Sequence, residues 1–486
     1  SYNANITAAN LSSNNSAIYT EKLTLTISQA LKSIGDRWRI LPFSEQSEIL
    51  DAGTLKLTAA ASEFTGSVIQ ADNLLLNSGR SQFSQTDVFT NTISIEGNEL
   101  VTDTDSLWVA NNSVNLSTTI TDLNHAIKTS NIQLEATKAD LSGRWLIAEN
   151  STINSATSLN IAGLELSADS LIMSFEDGVW DDLVIKSSAS NITAKNTLRV
   201  SSGTIESGQL SVAADVLTLD EKTWIGANNT NITADRLNNS GTLLAAGELQ
   251  LNTREIINNG VVASFDKLNI TSSEALNNHG KIISDQLVID SARITNTNSI
   301  SSENFELNYQ SLENKDKAVI VSSNAMYTAK TNTANFANYG TQIASDSIQW
   351  LTEGASSGRY INAGLLTGSS LNFTGLNQVT NGVLIDGVMK GTMQAVASSE
   401  EEGAQGQLSI GTEAFTQLGT IEADDININR NSFHNEGKIF TEKLTATIKD
   451  EFKNSGILAS HTIDLSAAEL INSQGSTIST NDLNLN

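Results

Sequence analysis

From Leu237 the chain reads LNNSGTLLAAGELQLNTRE, then IINNGVVASFDKLNITSSE, then ALNNHGKIISDQLVIDSAR. Each unit holds an Asn-x-Gly corner, a short apolar stretch, a polar turn and a closing pair of apolar residues separated by one polar residue. That closing pair has the period of two of a strand with one buried face. Its second residue can be followed through Leu57, Leu76, Ile95, Leu116, Leu134, Ile153, Met173, Ile192, Val212, Ile232, Leu251, Ile270, Ile289 and Leu307, in steps of 18 to 21 residues. It returns at Ile410, Ile428, Ala446, Leu465 and Leu485. A period of 19–20 is too short for paired helices, and no stretch sustains apolar residues at i, i+3, i+4 and i+7. The period predicts an all-β chain, a right-handed parallel β-helix in which every coil hydrogen-bonds to the next. If the 103 residues between Leu307 and Ile410 hold five coils, there are roughly 22 coils in all. At about 4.7–4.9 Å per coil they make a rod on the order of 105 Å.

The composition agrees with such a ladder. Proline removes a ladder donor, and the 486 residues contain one. Asparagine, at 52 residues, and glycine, at 31, tolerate the left-handed backbone expected at tight corners. Asn239, Asn258 and Asn278, each followed two residues on by Gly241, Gly260 and Gly280, occupy one corner of successive coils, where amides can stack as a ladder. Without cysteine there is neither a disulfide nor a thiolate-bound metal. A net charge of −26, with no basic stripe, argues against nucleic acid and anionic lipid as partners. No apolar run approaches the roughly 18 residues of a membrane span, so no membrane insertion is expected. With no starting methionine, no signal-like segment and no cap on the last coil, the chain is expected to be an internal piece of something longer.

Segments 230–300 and 426–486 resemble the haemagglutinin repeats of filamentous haemagglutinin and its relatives. The elements that carry the resemblance are L-N-N-S-G-T-L at 237–243, I-N-N-G-V-V at 257–262, L-N-N-H-G-K-I at 276–282 and F-K-N-S-G-I-L at 452–458. Similar repeats occur in contact-dependent growth-inhibition exoproteins and high-molecular-weight adhesins. The resemblance implies a secreted or surface-bound Gram-negative exoprotein, exported through an outer-membrane transporter partner. It also implies recognition of a receptor or glycan on a host or bacterial cell.

Five segments follow from the spacing. They are irregular opening coils over 1–56, irregular Trp-containing coils over 57–235, regular repeats over 236–308, longer irregular coils over 309–409, and regular repeats over 410–486. Specificity is expected where the coil is interrupted. Residues 32–50 carry Arg37, Trp38 and Arg39 beside Pro42; residues 175–186 place Trp180 among Asp177, Asp181 and Asp182; residues 395–407 form a loop around Glu400, Glu401 and Glu402. The receptor-binding candidates are therefore Arg37, Trp38, Arg39, Asp177, Trp180, Asp181 and Asp182. Trp108, Trp145 and Trp224 each precede a marker by eight residues. They are read either as rings packed at one corner or as an exposed row that stacks on sugars or a receptor loop.

An enzyme has to be weighed, because polysaccharide-processing enzymes use β-helices with clustered carboxylates. Asp177, Asp181 and Asp182 are the nearest such cluster, with a solvated acidic loop as the plainer reading. Gly354-Ala355-Ser356-Ser357-Gly358 matches a nucleophile-elbow pattern but lacks the strand-turn-helix that the motif needs. The four histidines are isolated in sequence. The expectation is a non-enzymatic rod without cofactor or metal, acting in adhesion or receptor recognition. The receptor-reading stalk of a toxin-delivery protein is the first alternative, and a polysaccharide-processing enzyme the second.

Overall fold

The computed structural model describes residues 3–42, 53–331, 333–352, 358–373, 376–396, 405–412 and 414–486. The chain is all-β, a parallel β-solenoid of about 24 turns with no helix among the described residues. It divides into two compact units, Ser1–Ala234 and Asp235–Asn486.

Within each unit the repeat marker forms a column. In the first, Ile6, Leu25, Leu57, Leu76, Ile95, Leu116 and Leu134 pair in succession, and Met173 pairs with Ile192. In the second, Leu251, Ile270, Ile289 and Leu307 pair in order, as do Ile410, Ile428, Ala446, Leu465 and Leu485. Strand alternation sends these side chains inward, and those from Leu25 to Leu465 named here are all buried. Each fully buried Leu or Ile contributes about 1.5–3 kcal/mol, so a coil with several such residues has its own core.

The coils missing from the sequence reading lie between Leu307 and Ile410. Leu307 pairs with Tyr327, and Tyr327 with Trp350. Trp350 stacks on Phe373 at 4.3 Å, and Asn372 pairs with Ser409, which sets Phe373 opposite Ile410. The column therefore makes four steps here rather than five, and the last runs from residue 373 to residue 410. Two earlier coils, marked by Ile6 and Leu25, bring the total to about 24.

The corner asparagines form the expected ladder, and it extends well beyond the three named from sequence. Nδ2 of Asn239 donates to Oδ1 of Asn258 at 2.8 Å, and the chain of amides continues through Asn278, Asn296, Asn314, Asn338, Asn362 and Asn381 to Gln417. It resumes from Asn435 through Asn454 to Asn472. Most of these amides spend their second N–H on a carbonyl of the next coil, as Asn258 does on Lys281. At Gln417 the extra methylene carries the amide past its neighbour to the carbonyls of Gly419 and Lys438, and Oδ1 of Asn435 accepts from the Gly437 N–H instead.

Several glycines, Gly35 and Gly66 among them, do take left-handed backbone, but those of the Asn-x-Gly corner are there for a different reason. Gly260 and Gly280 do not have positive φ. A Cβ on Gly260 would lie 2.0 Å from the Gly241 carbonyl oxygen, and one on Gly280 2.0 Å from that of Gly260. Close approach between coils, not left-handed backbone, excludes a side chain at this corner.

Candidate functional site

In the regular coils of the second unit the corner is Asn-x-Gly, and only the middle residue faces outward. In one coil this middle position has expanded. Gly382 takes the place of the preceding coil's Ala363, donating its N–H to Asn362 at 2.9 Å as Ala363 donates to Asn338. Gly391 takes the place of Gly364, because its carbonyl accepts the Thr420 N–H as that of Gly364 accepts Thr392. Between these equivalent positions stands a hairpin. Val383–Ile385 pairs antiparallel with Val388–Lys390 in a two-stranded sheet separate from the solenoid.

The local sequence dictates the hairpin. Asp386 and Gly387, at φ 51° and 77°, provide the two left-handed residues of a type I′ turn, whose twist suits flanking strands. Gly382 and Gly391, at φ 103° and 124°, close its neck, where a Cβ on Gly391 would meet the Gly382 Cα at 2.8 Å. The finger is apolar and exposed: Leu384 at 65%, Val388 at 59%, with Met389 also exposed. Aspartate-glycine between Val-Leu-Ile and Val-Met is the sequence signal for it, a short-range signal that the 19-residue period does not contain.

The next corner of the same coil carries the second insertion. Val396 donates to Gly368 and Gly406 accepts from Asp425, so the chain leaves the ladder after Val396 and returns at Gly406. Residues 397–404 of the expected 395–407 loop, including Glu400, Glu401 and Glu402, lie outside the described residues. The finger and the loop are thus joined by one four-residue strand, Thr392–Ala395.

The outer face of that strand continues across its neighbours. Thr392, Thr420, Lys438 and Ile457 form one column, and Gln394, Glu422, Phe440 and Ala459 the next. A groove of about 590 Å³ on the finger side is lined by Met389, Lys390, Glu436, Lys438 and Ile457 over the corner glycines. A second groove, of about 620 Å³ on the loop side, is lined by Val396, Glu422, Asp424, Phe440, Glu442 and His461. Val396, Phe440 and Ile457 are exposed, and with the finger they set apolar side chains on this face beside the charges of Lys438 and Glu422. Exposed apolar side chains clustered in this way make the face the candidate for an interaction surface.

The candidates named from sequence fall elsewhere. Residues 32–40 are not an insertion: Lys22–Ile34 and Arg37–Ile40 are ordinary rungs, and the chain departs only after Leu41 and rejoins at Gly53. Residues 43–50 of that segment lie outside the described residues. Arg37 and Arg39 face outward, whereas Trp38 between them points in and is 1% exposed. Its Nε1 donates to Ser33 Oγ at 3.0 Å, and its ring meets Phe64 edge-on. Trp38 is therefore a core residue and leaves the list of contact candidates.

Trp180 leaves it too. The segment 175–186 is regular coil paired with its neighbour, and Trp180 is fully buried, packed on Phe175 and donating to the Leu159 carbonyl. Asp177, Asp181 and Asp182 stay at the surface as corner fasteners. Asp177 accepts from the Thr197 hydroxyl at 2.6 Å and from Asn196, and these bonds hold its pKa below the usual carboxylate value. Asp181 accepts from the Ser202 hydroxyl at 2.7 Å, and Asp182 has the left-handed backbone of the corner at φ 50°. An ionised, hydrogen-bonded carboxylate such as Asp177 suits a structural tie better than a general acid. The arginine pair and the aspartate trio lie in different coils and do not meet.

Trp108 and Trp145 are buried, as the packing reading holds, but Trp224 is only half-buried: Ile225 takes the inward position and the ring lies over Gly226. Residues 354–357 of the elbow-like pattern lie outside the described residues. His434, isolated in sequence, has company in space: Nε2 lies 3.0 Å from Ser455 Oγ and Nδ1 3.4 Å from Glu436. The N–H groups of Ser455, Gly456 and Ile457 are all spent on the ladder, so these three are not free to hold an oxyanion.

Comparison of the chain with family models, with curated proteins and with solved structures gives no match in any of the three.

Proposed function

We propose that this chain is a non-enzymatic recognition segment of a large secreted or surface-tethered bacterial exoprotein, and that the face between finger and acidic loop contacts a receptor on a target cell. The observation that carries this reading is the double expansion of one coil. In a solenoid built from steps of about 19 residues, the step from 373 to 410 takes 37, and part of its extra length is the hairpin beside exposed Phe440 and Ile457. Scaffold needs neither insertion. An exposed apolar finger costs solubility, and a binding role accounts for its presence. Export through an outer-membrane transporter partner, and the secreted location, come with the haemagglutinin-repeat resemblance. So does the choice between host adhesion and delivery of a toxin to another bacterium.

The test is binding of fluorescently labelled chain to intact epithelial and bacterial cells, with and without residues 383–390, Gly382 being joined directly to Gly391. Binding to one cell type that disappears with the finger supports the proposal, and the cell type separates adhesin from toxin stalk. Binding that survives removal of the finger would relocate the contact, and binding to neither cell type would make the chain a spacer.

A further inference from the structure

The recognition face is charged differently at its two ends, and we infer from this that its occupant is an extended polypeptide segment with an apolar centre, carboxylates at one end and Lys or Arg at the other. The inference rests on the proposal that this face is the contact surface, and it names the chemistry of what binds.

On the finger side the groove presents Lys390 and Lys438 against a single Glu436, which already faces His434 at 3.4 Å. Among the described residues neither lysine pairs with a carboxylate. On the loop side the groove presents Glu422, Asp424 and Glu442 and no Lys or Arg. Glu422 accepts from Gln394 at 2.7 Å and Asp424 from the Gly406 N–H at 2.7 Å, whereas the Glu442 carboxylate has no partner among the described residues. Apolar side chains accompany each set of charges, Met389 and Ile457 with the lysines, Val396 and Phe440 with the acids.

Lys438 and Glu442 stand four residues apart, at most about 13 Å at roughly 3.3 Å each, with Glu422 opposite Phe440 about halfway between them. An extended segment of similar length fits that span. Its apolar centre covers Phe440 and Ile457, and its ends meet charges of opposite sign. The finger favours a polypeptide over a glycan. It is a two-stranded sheet of three residue pairs, unattached to the solenoid sheet, and such a hairpin is marginal in water until a third strand joins it. Phe440 lies beside the acids, so a Lys or Arg that neutralises Glu442 also reaches the face of an aromatic ring. Anionic lipid does not complement a chain of net charge −26.

The test uses the full chain and three synthetic peptides with the same four-residue apolar centre, flanked by Glu and Lys, by Lys on both sides, or by Glu on both sides. Phosphatidylglycerol vesicles are the fourth probe. The Glu–Lys peptide is expected to bind at least about tenfold tighter than the Glu–Glu peptide, the difference shrinking at about 0.5 M salt. Phe440→Ser is expected to weaken binding of the Glu–Lys peptide about tenfold. Glu442→Lys, at an exposed position, should turn the preference toward the Glu–Glu peptide. Equal binding of all three peptides overturns the inference, as does a preference unmoved by Glu442→Lys. Capture by the vesicles, or affinity kept within about twofold after both Phe440→Ser and loss of the finger, also overturns it. Finger-dependent cell binding without peptide preference overturns the inference alone. Peptide preference without binding to either cell type counts against the cell-surface proposal and leaves the inference standing.

Discussion

Nδ2 of Asn258 lies 2.8 Å from Oδ1 of Asn278, and neither residue is accessible to solvent. The two amides are 20 residues apart in sequence and one coil apart in space, and each is both donor and acceptor in the same column. Asn258→Ala strands a donor on Asn239 and an acceptor on Asn278, at about 1–3 kcal/mol for each buried group left unpaired. Because coils contact chiefly their neighbours, the loss is expected to be local. Amide hydrogen exchange should quicken at Val261 and Lys281 and stay unchanged at Lys438 and Ile457; a uniform change would mean that the ladder acts as a whole.

The glycines divide into two kinds that one pair of substitutions separates. Gly280→Ala drives a Cβ against backbone that has nowhere to go, and we expect several kcal/mol of destabilisation, above about 3. Gly387→Ala at the finger tip meets nothing within 4 Å and costs only the left-handed backbone term, about 1 kcal/mol. Urea midpoints of the two variants should differ accordingly, and equal shifts would contradict the close-approach account.

His125 gives the first unit an acid-sensitive point. Its Nδ1 shares a hydrogen bond of 2.7 Å with the Thr102 hydroxyl, whose oxygen also accepts the Asn124 N–H; Nε2 has no partner among the described residues, and the ring packs 4.4 Å from Trp108. Burial pushes the folded-state pKa down to about 3, slightly opposed by Asp103. The unfolded chain takes up a proton below its ordinary value near 6.5, and the folded chain does not. Stability from this residue is therefore complete above about pH 6.5 and falls by about 1.4 kcal/mol per pH unit down to about pH 3. His125→Gln should flatten part of the decline in melting temperature between pH 7 and pH 5, and an unchanged slope would remove His125 as its source.

Around Trp38 the same short strand holds a core residue and two surface residues. Trp38→Ala is expected to cost about 3–5 kcal/mol, while Arg37→Ala and Arg39→Ala stay within about 0.5. Denaturant titration of the three variants checks this, and a neutral Trp38→Ala would return the ring to the surface.

The fold was legible because the ladder forces one inward apolar residue per coil to recur at a fixed distance. Markers chosen from sequence as distant as Leu57 and Ile289 proved to be column members in their units. Legibility failed between Leu307 and Ile410 for two physical reasons. The column there switches to Tyr327, Trp350 and Phe373, whose rings stack in coils longer than the period, and one coil carries two insertions. Both Trp38 and Trp180 looked like surface features because they stand in segments read as interruptions of the coil. Strand alternation is the stronger signal, because it puts a residue between two outward neighbours into the core. Asp386-Gly387 was the readable sign of the site, and it is a sign of period two within a chain whose dominant signal has a period of 19.

Removing Val383–Lys390 should leave the solenoid as it is, because Gly382 and Gly391 already stand in register with Ala363 and Gly364. Exchange protection at Leu365 and Thr420 is the measurement, and loss of protection at either amide would show that the hairpin supports the coil.

The closed neck has a wider consequence. Where both ends of an excursion emerge at one corner, its length does not enter the phase of the coils before and after it. Lengthening it adds only a slowly growing closure entropy. The corner between Asn381 and Thr392 is therefore an evolvable socket: one cassette can be traded for another of different size and chemistry while every rung keeps its neighbours. A chain built this way can change what it displays at that corner without having to learn to fold again.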